Sequence, residues 1–346
     1  MKVLYVSQQH GPHDRRFLAA MAEAGHTGLF LCTTPERVQA EQLPAGVQLV
    51  RGSVADVARQ YRPDLVHAGP LHTCAWQARS VTQPLVAMSW GSDILYTAQR
   101  NPIARYKTRA ALRAARVLIA DCQAVVDAAA VLGFDPQRAV IFPWGIDLQR
   151  FQPQAASPLR QQLGWQDAFV LLHLRSWEPV YDTETALRAF LALAPRQPQL
   201  RLLLPGGGSL APRIRQLVQD SGFADRIHMP GYIAQEDLLA YYAAADLYLS
   251  ASRSDGSSVS LMEALACGLP ALVSDIPANR EWVEPGQQGW LFPPGDSAAL
   301  ADKIVAAMQN TDLQAIRQHA RQRAEERADW AKNKLGLQRA YEMAVA

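Results

Sequence analysis

Two carboxylates in the second half of the chain stand at a spacing that lets them grip opposite ends of one ligand. They lie in Asp255-Gly-Ser-Ser-Val-Ser-Leu-Met-Glu263-Ala-Leu-Ala-Cys-Gly268-Leu-Pro270, with seven residues between them. The apolar run Leu247 to Ser250 before them reads as a strand, Asp255 to Ser258 as a Ser/Gly loop, the next stretch as a helix, and Gly268-Leu-Pro270 as its stop. Gly256, Ser257, Ser258, Val259 and Ser260 thus fall where backbone N–H groups gather at the positive end of a helix, a ready site for a diphosphate. A carboxylate accepts two hydroxyls at once, which suits Glu263 to a ribose diol and Asp255 to the hydroxyls of a sugar. The plainer alternative makes Asp255 a helix N-cap and Glu263 a charge complementing the helix dipole. The loop, glycine and acid pair taken together favour a ligand.

Such a loop needs a sheet behind it. From Lys2 to Phe142 short apolar runs alternate with helical spacing: strands at 2–7, 27–31, 47–50, 65–68, 85–89, 117–120 and 139–142, helices at 16–24, 54–60, 73–80, 103–115 and 123–132. The same alternation restarts at Phe169, after a Gln- and Pro-rich stretch, 148–166, that reads as a linker. Alternation of this kind predicts parallel sheets covered on both faces by helices, so the fold class is α/β with two doubly wound, Rossmann-like domains. The expected boundaries are 1–152 and 166–327, with a final helix at about 328–346 returning to the first domain. Ligands of open parallel sheets bind at the carboxyl ends of strands, and a cleft between two such domains is the expected active site.

Composition narrows the function classes. The chain has 346 residues, 49% of them hydrophobic and 19% charged, as in a folded globular protein. No apolar run is long enough to span a bilayer, and the N-terminal apolar stretch is too short for a signal-peptide core, so a cytoplasmic location is expected. Cys32, Cys74, Cys122 and Cys267 are scattered and read as small buried hydrophobes. The chain contains no D-x-D, H-E-x-x-H or clustered Cys/His set, so no metal and no other cofactor is expected. No G-x-G-x-x-G opens either domain, which argues against a dinucleotide oxidoreductase. Residues 1–165 carry 17 Lys/Arg against 11 Asp/Glu, and the remainder 17 against 21. Arg105, Arg109 and Arg113 fall four apart on the helix expected at 103–115. Such a stripe reads either as a solvated face or as a dock for anionic lipid, and nothing points to nucleic acid.

The stretch Asp255-x7-Glu263-Ala-Leu-Ala-Cys-Gly-Leu-Pro closely resembles family 4 of the retaining glycosyltransferases, which pair two acids at this spacing ahead of Ala-Met-Ala-x-Gly-x-Pro. The resemblance continues through Leu202-Leu-Leu-Pro-Gly-Gly207-Gly, Ile227-His-Met-Pro-Gly231-Tyr232, Ala244-Ala-Asp-Leu-Tyr-Leu-Ser250 and Glu281 to Asp296. It implies the two-domain GT-B architecture, with the first acid on the donor sugar, the second on the nucleotide ribose, and Gly231 and Tyr232 around the base. Arg175, in His173-Leu-Arg175-Ser-Trp-Glu-Pro-Val180-Tyr181, matches the arginine with which the family grips the donor diphosphate. Two departures stand out: Val180 takes the place of the family's lysine, and aspartate replaces the usual first glutamate.

The first half is similar to the family more loosely. His10, Gly11 and Arg15, beside His13, Asp14 and Arg16, occupy the place of its acceptor-side loop, and Trp90-Gly91-Ser-Asp93 that of its His-Gly-x-Asp, with tryptophan for histidine. The resemblance implies a retaining, metal-independent transferase moving a hexosyl unit, UDP-linked, to a glycan, lipid-linked or small-molecule hydroxyl, with Arg175, Asp255 and Glu263 as its catalytic set. Two other readings stay open on the same architecture: a non-catalytic nucleotide-sugar-binding partner in a glycan-assembly complex, and a nucleotide-sugar epimerase. A peripheral place at the inner membrane face is left open with them.

Overall fold

A computed structural model describes residues 1–34, 43–155 and 157–346. They fall into two compact units, Met1–Trp144 with Trp330–Ala346, and Gly145–Asp329. The first is built on seven parallel strands: β1 (Lys2–Ser7), β2 (Thr27–Cys32), β3 (Val47–Val50), β4 (Leu65–Ala68), β5 (Leu85–Met88), β6 (Val117–Ala120) and β7 (Ala139–Ile141), in the order β3-β2-β1-β4-β5-β6-β7. The second has six: β8 (Phe169–Leu172), β9 (Leu200–Leu203), β10 (Ile227–His228), β11 (Leu247–Ser250), β12 (Ala271–Ser274) and β13 (Gly289–Phe292), in the order β10-β9-β8-β11-β12-β13. Each unit is therefore doubly wound, and its strand order reverses once, between β1 and β4 in the first and between β8 and β11 in the second. Loops after those strands border a crevice, because the crossovers on either side leave in opposite directions.

The sheet of the second unit is apolar on both faces. Val170 and Leu172 of β8 enter one core with Tyr248 and Val273, while Leu171 enters the other with Leu247, Leu249 and Leu272. That period-two division explains why these strands read as unbroken apolar runs. The helix Val259–Ala266 follows β11 and is backed by the helix Leu313–Arg327. Arg321 on the latter donates from Nη1 to the Ala266 carbonyl at 2.8 Å and the Phe151 carbonyl at 2.7 Å. A cation thus satisfies a carbonyl at the negative end of the Val259–Ala266 helix.

In the first unit the helix Leu335–Val345 packs under the sheet with Tyr341 fully buried, its hydroxyl 2.9 Å from His67 Nδ1. Gly336 lets that helix close in, since a Cβ there would lie 2.3 Å from Phe142 Cδ1.

Three expectations change. The stretch 148–166 is not a free linker, because Phe151 and Trp165 are buried in the core of the second unit and residues Pro158–Gln162 form a short helix. The first helix starts at Pro12, the favoured first helical position for proline, rather than at 16. The segment expected as a helix over 73–80 opens as a π-turn, Leu71–Ala75.

Candidate active site

In the second unit the site is assembled at the strand-order reversal. Arg175 lies three residues beyond β8, and the loop 251–258 leaves the neighbouring β11. The Arg175 guanidinium donates from Nη2 to Asp255 Oδ2 at 2.6 Å and from Nη1 to Ser258 Oγ at 2.6 Å, with Ser260 Oγ at 3.4 Å. Both members of the ion pair are mostly covered, their side chains 11% and 14% exposed. Burial raises the Asp255 carboxyl above the usual carboxylate range, and the Arg175 charge pulls the other way. The guanidinium plane also rests on Tyr181, 4.1 Å from the ring centroid. Tyr181 is aimed there by a constrained loop: Tyr181 N–H donates to Glu178 O, Arg253 N–H donates to Val180 O, and Asp182 takes a left-handed conformation at φ 46°.

Beyond the arginine, the loop feeds the helix Val259–Ala266, whose N-cap, Ser258, makes no side-chain cap because its hydroxyl serves Arg175. The first turn of that helix therefore presents N–H groups for which the helix itself supplies no acceptor. Ser257 Oγ accepts from Trp282 Nε1 at 3.2 Å, and Ser260 Oγ lies 2.7 Å from the Tyr248 hydroxyl. Gly256 is buried and Val259 half-buried. Glu263, 6% exposed, accepts from the Tyr242 hydroxyl at 2.7 Å, and the same hydroxyl lies 3.2 Å from the Ser260 carbonyl. Tyr242 thereby couples the second acid to the loop.

A cavity of about 210 Å³ opens beside Arg175, lined by Leu174, Ser176, Gly206, Tyr232 and Ile233. Gly207 supports the Tyr232 ring, since a Cβ there would sit 3.0 Å from Cε2, and the Gly231 carbonyl accepts from Gly206 N–H at 2.7 Å. Tyr232 is 76% exposed, an open aromatic face beside the arginine. Arg175, Asp255, Ser258 and Ser260 thus meet directly, Tyr232 lines the cavity beside the same arginine with Gly207 against its ring and Gly231 bonded to Gly206, and Glu263 joins through Tyr242. His173, just behind them, is fully buried between the Leu249 carbonyl and Thr183 Oγ1, and burial lowers its pKa to about 4.

The first unit gathers its residues near the equivalent reversal, in the loops after β1 and β5. Gly11 is the N-cap of the helix Pro12–Glu23, and its N–H donates to buried Asp14 at 2.8 Å, while Tyr5 donates to the other Asp14 oxygen at 3.1 Å. His10 packs against Phe30, Arg15 is exposed, and His13 lies 5.3 Å from the Trp90 ring, its pKa lowered to about 4 by burial. His10 Nε2, His13 Nδ1 and Trp90 Nε1 are buried without a hydrogen-bond partner among the described residues. Gly91 takes φ 77° and donates to Ser89 Oγ.

Asp93 departs from its expected place in a ligand site. It is 3% exposed, with Oδ1 accepting from Ser89 Oγ, Trp90 N–H and Ile94 N–H and Oδ2 from Leu71 N–H. Both oxygens are engaged, so Asp93 fixes the loop rather than meeting a ligand. Asp255 is not a helix cap but the counter-ion of Arg175 through Oδ2.

Residues 157–328 match the family described as glycosyl transferases group 1, and residues 15–150 match glycosyltransferase family 4. The chain belongs to the group 1 glycosyltransferase family. This family member is 28% identical over 302 residues to a D-inositol 3-phosphate glycosyltransferase of Geodermatophilus obscurus, covering 79% of this chain and 66% of that protein. It is 34% identical over 136 residues to the GtfA subunit of a UDP-N-acetylglucosamine–peptide N-acetylglucosaminyltransferase of Streptococcus gordonii, covering 37% of this chain and 26% of that one. The chain therefore spans less than two thirds of the length of these curated relatives. Its fold is GT-B: the crystal structure of Anabaena Alr3699/HepE in complex with UDP superposes with a TM-score of 0.83 at 23% identity, covering 99% of this chain and 100% of that one. Sucrose-phosphate synthase from Thermosynechococcus elongatus gives 0.80 at 21% identity, covering 99% and 98%.

Tyr181, Tyr242, Tyr248 and Trp282 were not foreseen as parts of the site. Tyr242 and Trp282 reach it from elements more than twenty residues away, while Tyr181 and Tyr248 lie in the segments next to Arg175 and Asp255, where nothing in the residue pattern marks them as contacts.

Proposed function

We propose that this chain transfers a hexosyl unit from a UDP-linked sugar to a hydroxyl acceptor with retention of configuration and without a metal ion. One observation carries the reading: at the strand-order reversal of the second unit, Arg175 and the uncapped first turn of the helix Val259–Ala266 converge on one loop. Together they offer a fixed positive field to a diphosphate, and that field matters most as the glycosidic bond breaks and charge collects on the leaving group. The UDP bound by the similar HepE protein supports the choice of donor.

In this reading Tyr232 offers a face to the base, Gly207 and Gly231 shape the wall beside it, and Glu263 takes the ribose hydroxyls. Asp255 contacts the donor sugar while steadying Arg175. An acid already paired at 2.6 Å with an arginine is a poor nucleophile, which favours acceptor attack from the face the diphosphate leaves over a covalent double displacement. His10, Gly11, Arg15, Trp90 and Gly91 form the acceptor side, where the unpartnered ring nitrogens of His10 and Trp90 can meet hydroxyls.

Titration calorimetry with UDP tests the donor site. Glu263→Ala is expected to weaken UDP binding by about 10- to 100-fold, the range of a hydrogen bond to a charged group. Asp255→Ala is expected to lower turnover more than UDP affinity, and unchanged affinity in Glu263→Ala would refute the ribose assignment. Proton NMR of the product reads the anomeric configuration, and chelation with EDTA should leave the rate unchanged.

A second reading, a binding partner without turnover, draws on Val180, which leaves the diphosphate one side-chain cation fewer than the family pattern provides. Labelled UDP-sugars bound but never consumed would favour it.

A further inference from the structure

The helix Pro102–Ala114 carries the stripe that the sequence left undecided, and its surroundings favour one occupant. Its inner face is Ala104, Thr108, Ala111 and Leu112, all buried, and its start is capped by Asn101, whose Oδ1 accepts from Ile103 and Ala104 N–H. The opposite face presents Arg105, Arg109 and Arg113 at successive turns, all exposed. Beside that row stand Ile103 and Tyr106, 67% and 66% exposed, with Lys107 beyond them. From Asp93 to Arg116 the chain has six cations, and its one acid, Asp93, is buried. None of Arg105, Arg109 and Arg113 has an ion-pair partner among the described residues.

The apolar part extends beyond this helix. Val131, 78% exposed at the end of the helix Gln123–Val131, shares with Arg105 a groove of about 350 Å³ walled by Ile94, Ala98, Ala128 and Leu132. On another side Tyr106 leans on Trp76, 5.7 Å between ring centroids, and Arg79 stacks on Trp76 at 3.4 Å. Aliphatic side chains standing open among unpaired arginines gain nothing from solvent. A phosphate backbone would use the arginines and leave Ile103 and Val131 idle. An anionic bilayer surface uses both, taking the cations at its headgroups and the aliphatic and aromatic side chains at the acyl boundary.

We propose that this face docks on a membrane surface rich in anionic lipid, through Arg105, Arg109 and Arg113 with Ile103, Tyr106 and Val131 inserted among the headgroups. The inference rests on this surface and not on the donor site. The contact is a surface one: no helix among the described residues is long and apolar enough to cross a membrane, and this one is amphipathic. Two residues of the groove wall, Ile94 and Ala98, directly follow the Trp90–Asp93 loop in the chain.

Co-flotation with vesicles tests it, comparing pure phosphatidylcholine with phosphatidylcholine containing one third phosphatidylglycerol. Binding to the anionic vesicles alone is expected, weakening as salt rises. A cation near such a surface contributes roughly fivefold in affinity, so Arg105→Gln with Arg109→Gln and Arg113→Gln should cost about 100-fold. Ile103→Ser with Tyr106→Ser and Val131→Ser should cost about tenfold or more at unchanged charge. UDP affinity and the denaturation midpoint of each variant report whether it is folded. Equal binding to neutral vesicles, no binding to anionic ones, or undiminished binding by the triple glutamine variant would overturn the proposal. So would an intact anionic affinity in the serine variant together with displacement of vesicles by RNA, which would make the face a polyanion site instead.

Discussion

Arg175 is held from three directions, and each holds it differently. Asp255 fixes its charge, Ser258 its rotation, and Tyr181 the plane of the guanidinium. A partly desolvated cation–π contact contributes about 0.5–2 kcal/mol, so Tyr181→Ala should weaken UDP binding roughly 2- to 30-fold, whereas Tyr181→Phe should retain most of the affinity. Calorimetry on the two variants checks this, and equal losses would assign the effect to the hydroxyl instead. The acids and the glycine loop were legible because they lie within one strand-loop-helix segment with a fixed spacing. Tyr181 was not, because its contact with Arg175 depends on the left-handed turn at Asp182, a conformation that aspartate tolerates but does not announce. Asp93 misled for the opposite reason: a buried acid satisfied by four donors and an acid waiting for a ligand look the same in a sequence.

At the scale of elements, the helix Val259–Ala266 is a short rod with an open positive end, and its stability comes from what lies behind it. Arg321 closes its far end by donating to Ala266 and Phe151. Replacing it with methionine keeps the apolar stem and removes its charge-assisted hydrogen bonds to Ala266, Phe151 and Glu325, so Arg321→Met should lower unfolding free energy by about 1.5–3 kcal/mol in urea titration. Alternation of strands and helices could be read directly, since strands covered on both faces are apolar throughout. Helix starts were harder: His13 to Arg16 hide the first turn of the helix Pro12–Glu23 behind polar side chains, and only Pro12 signals it. The Gln- and Pro-rich run around 148–166 has the composition of a tether, yet Phe151 and Trp165 tie it into a core, and two aromatic anchors outweigh a polar average.

For the molecule as a whole, buried neutral histidines set the response to acid. His67, His13 and His173 have pKa values lowered by burial to about 3, 4 and 4 from 6.5. A group depressed in the folded state binds fewer protons there than when unfolded, so its stabilisation is complete above pH 6.5 and is lost as pH falls toward 4. His173 alone is expected to contribute on the order of 3 kcal/mol across that window. Urea midpoints at pH 7 and pH 5 should therefore differ, and His173→Asn should flatten the difference while lowering both. The chain leaves the first unit after Trp144, builds the second, and comes back at Trp330, the outgoing and returning segments pairing at Ile146 and Asp329. On a ribosome this reverses the order of completion. The domain begun first waits, with the His67 pocket open, for Tyr341 to emerge, while the domain begun second already has every strand it needs. Residues 145–329 expressed alone should give a cooperative thermal transition, and residues 1–144 alone should not.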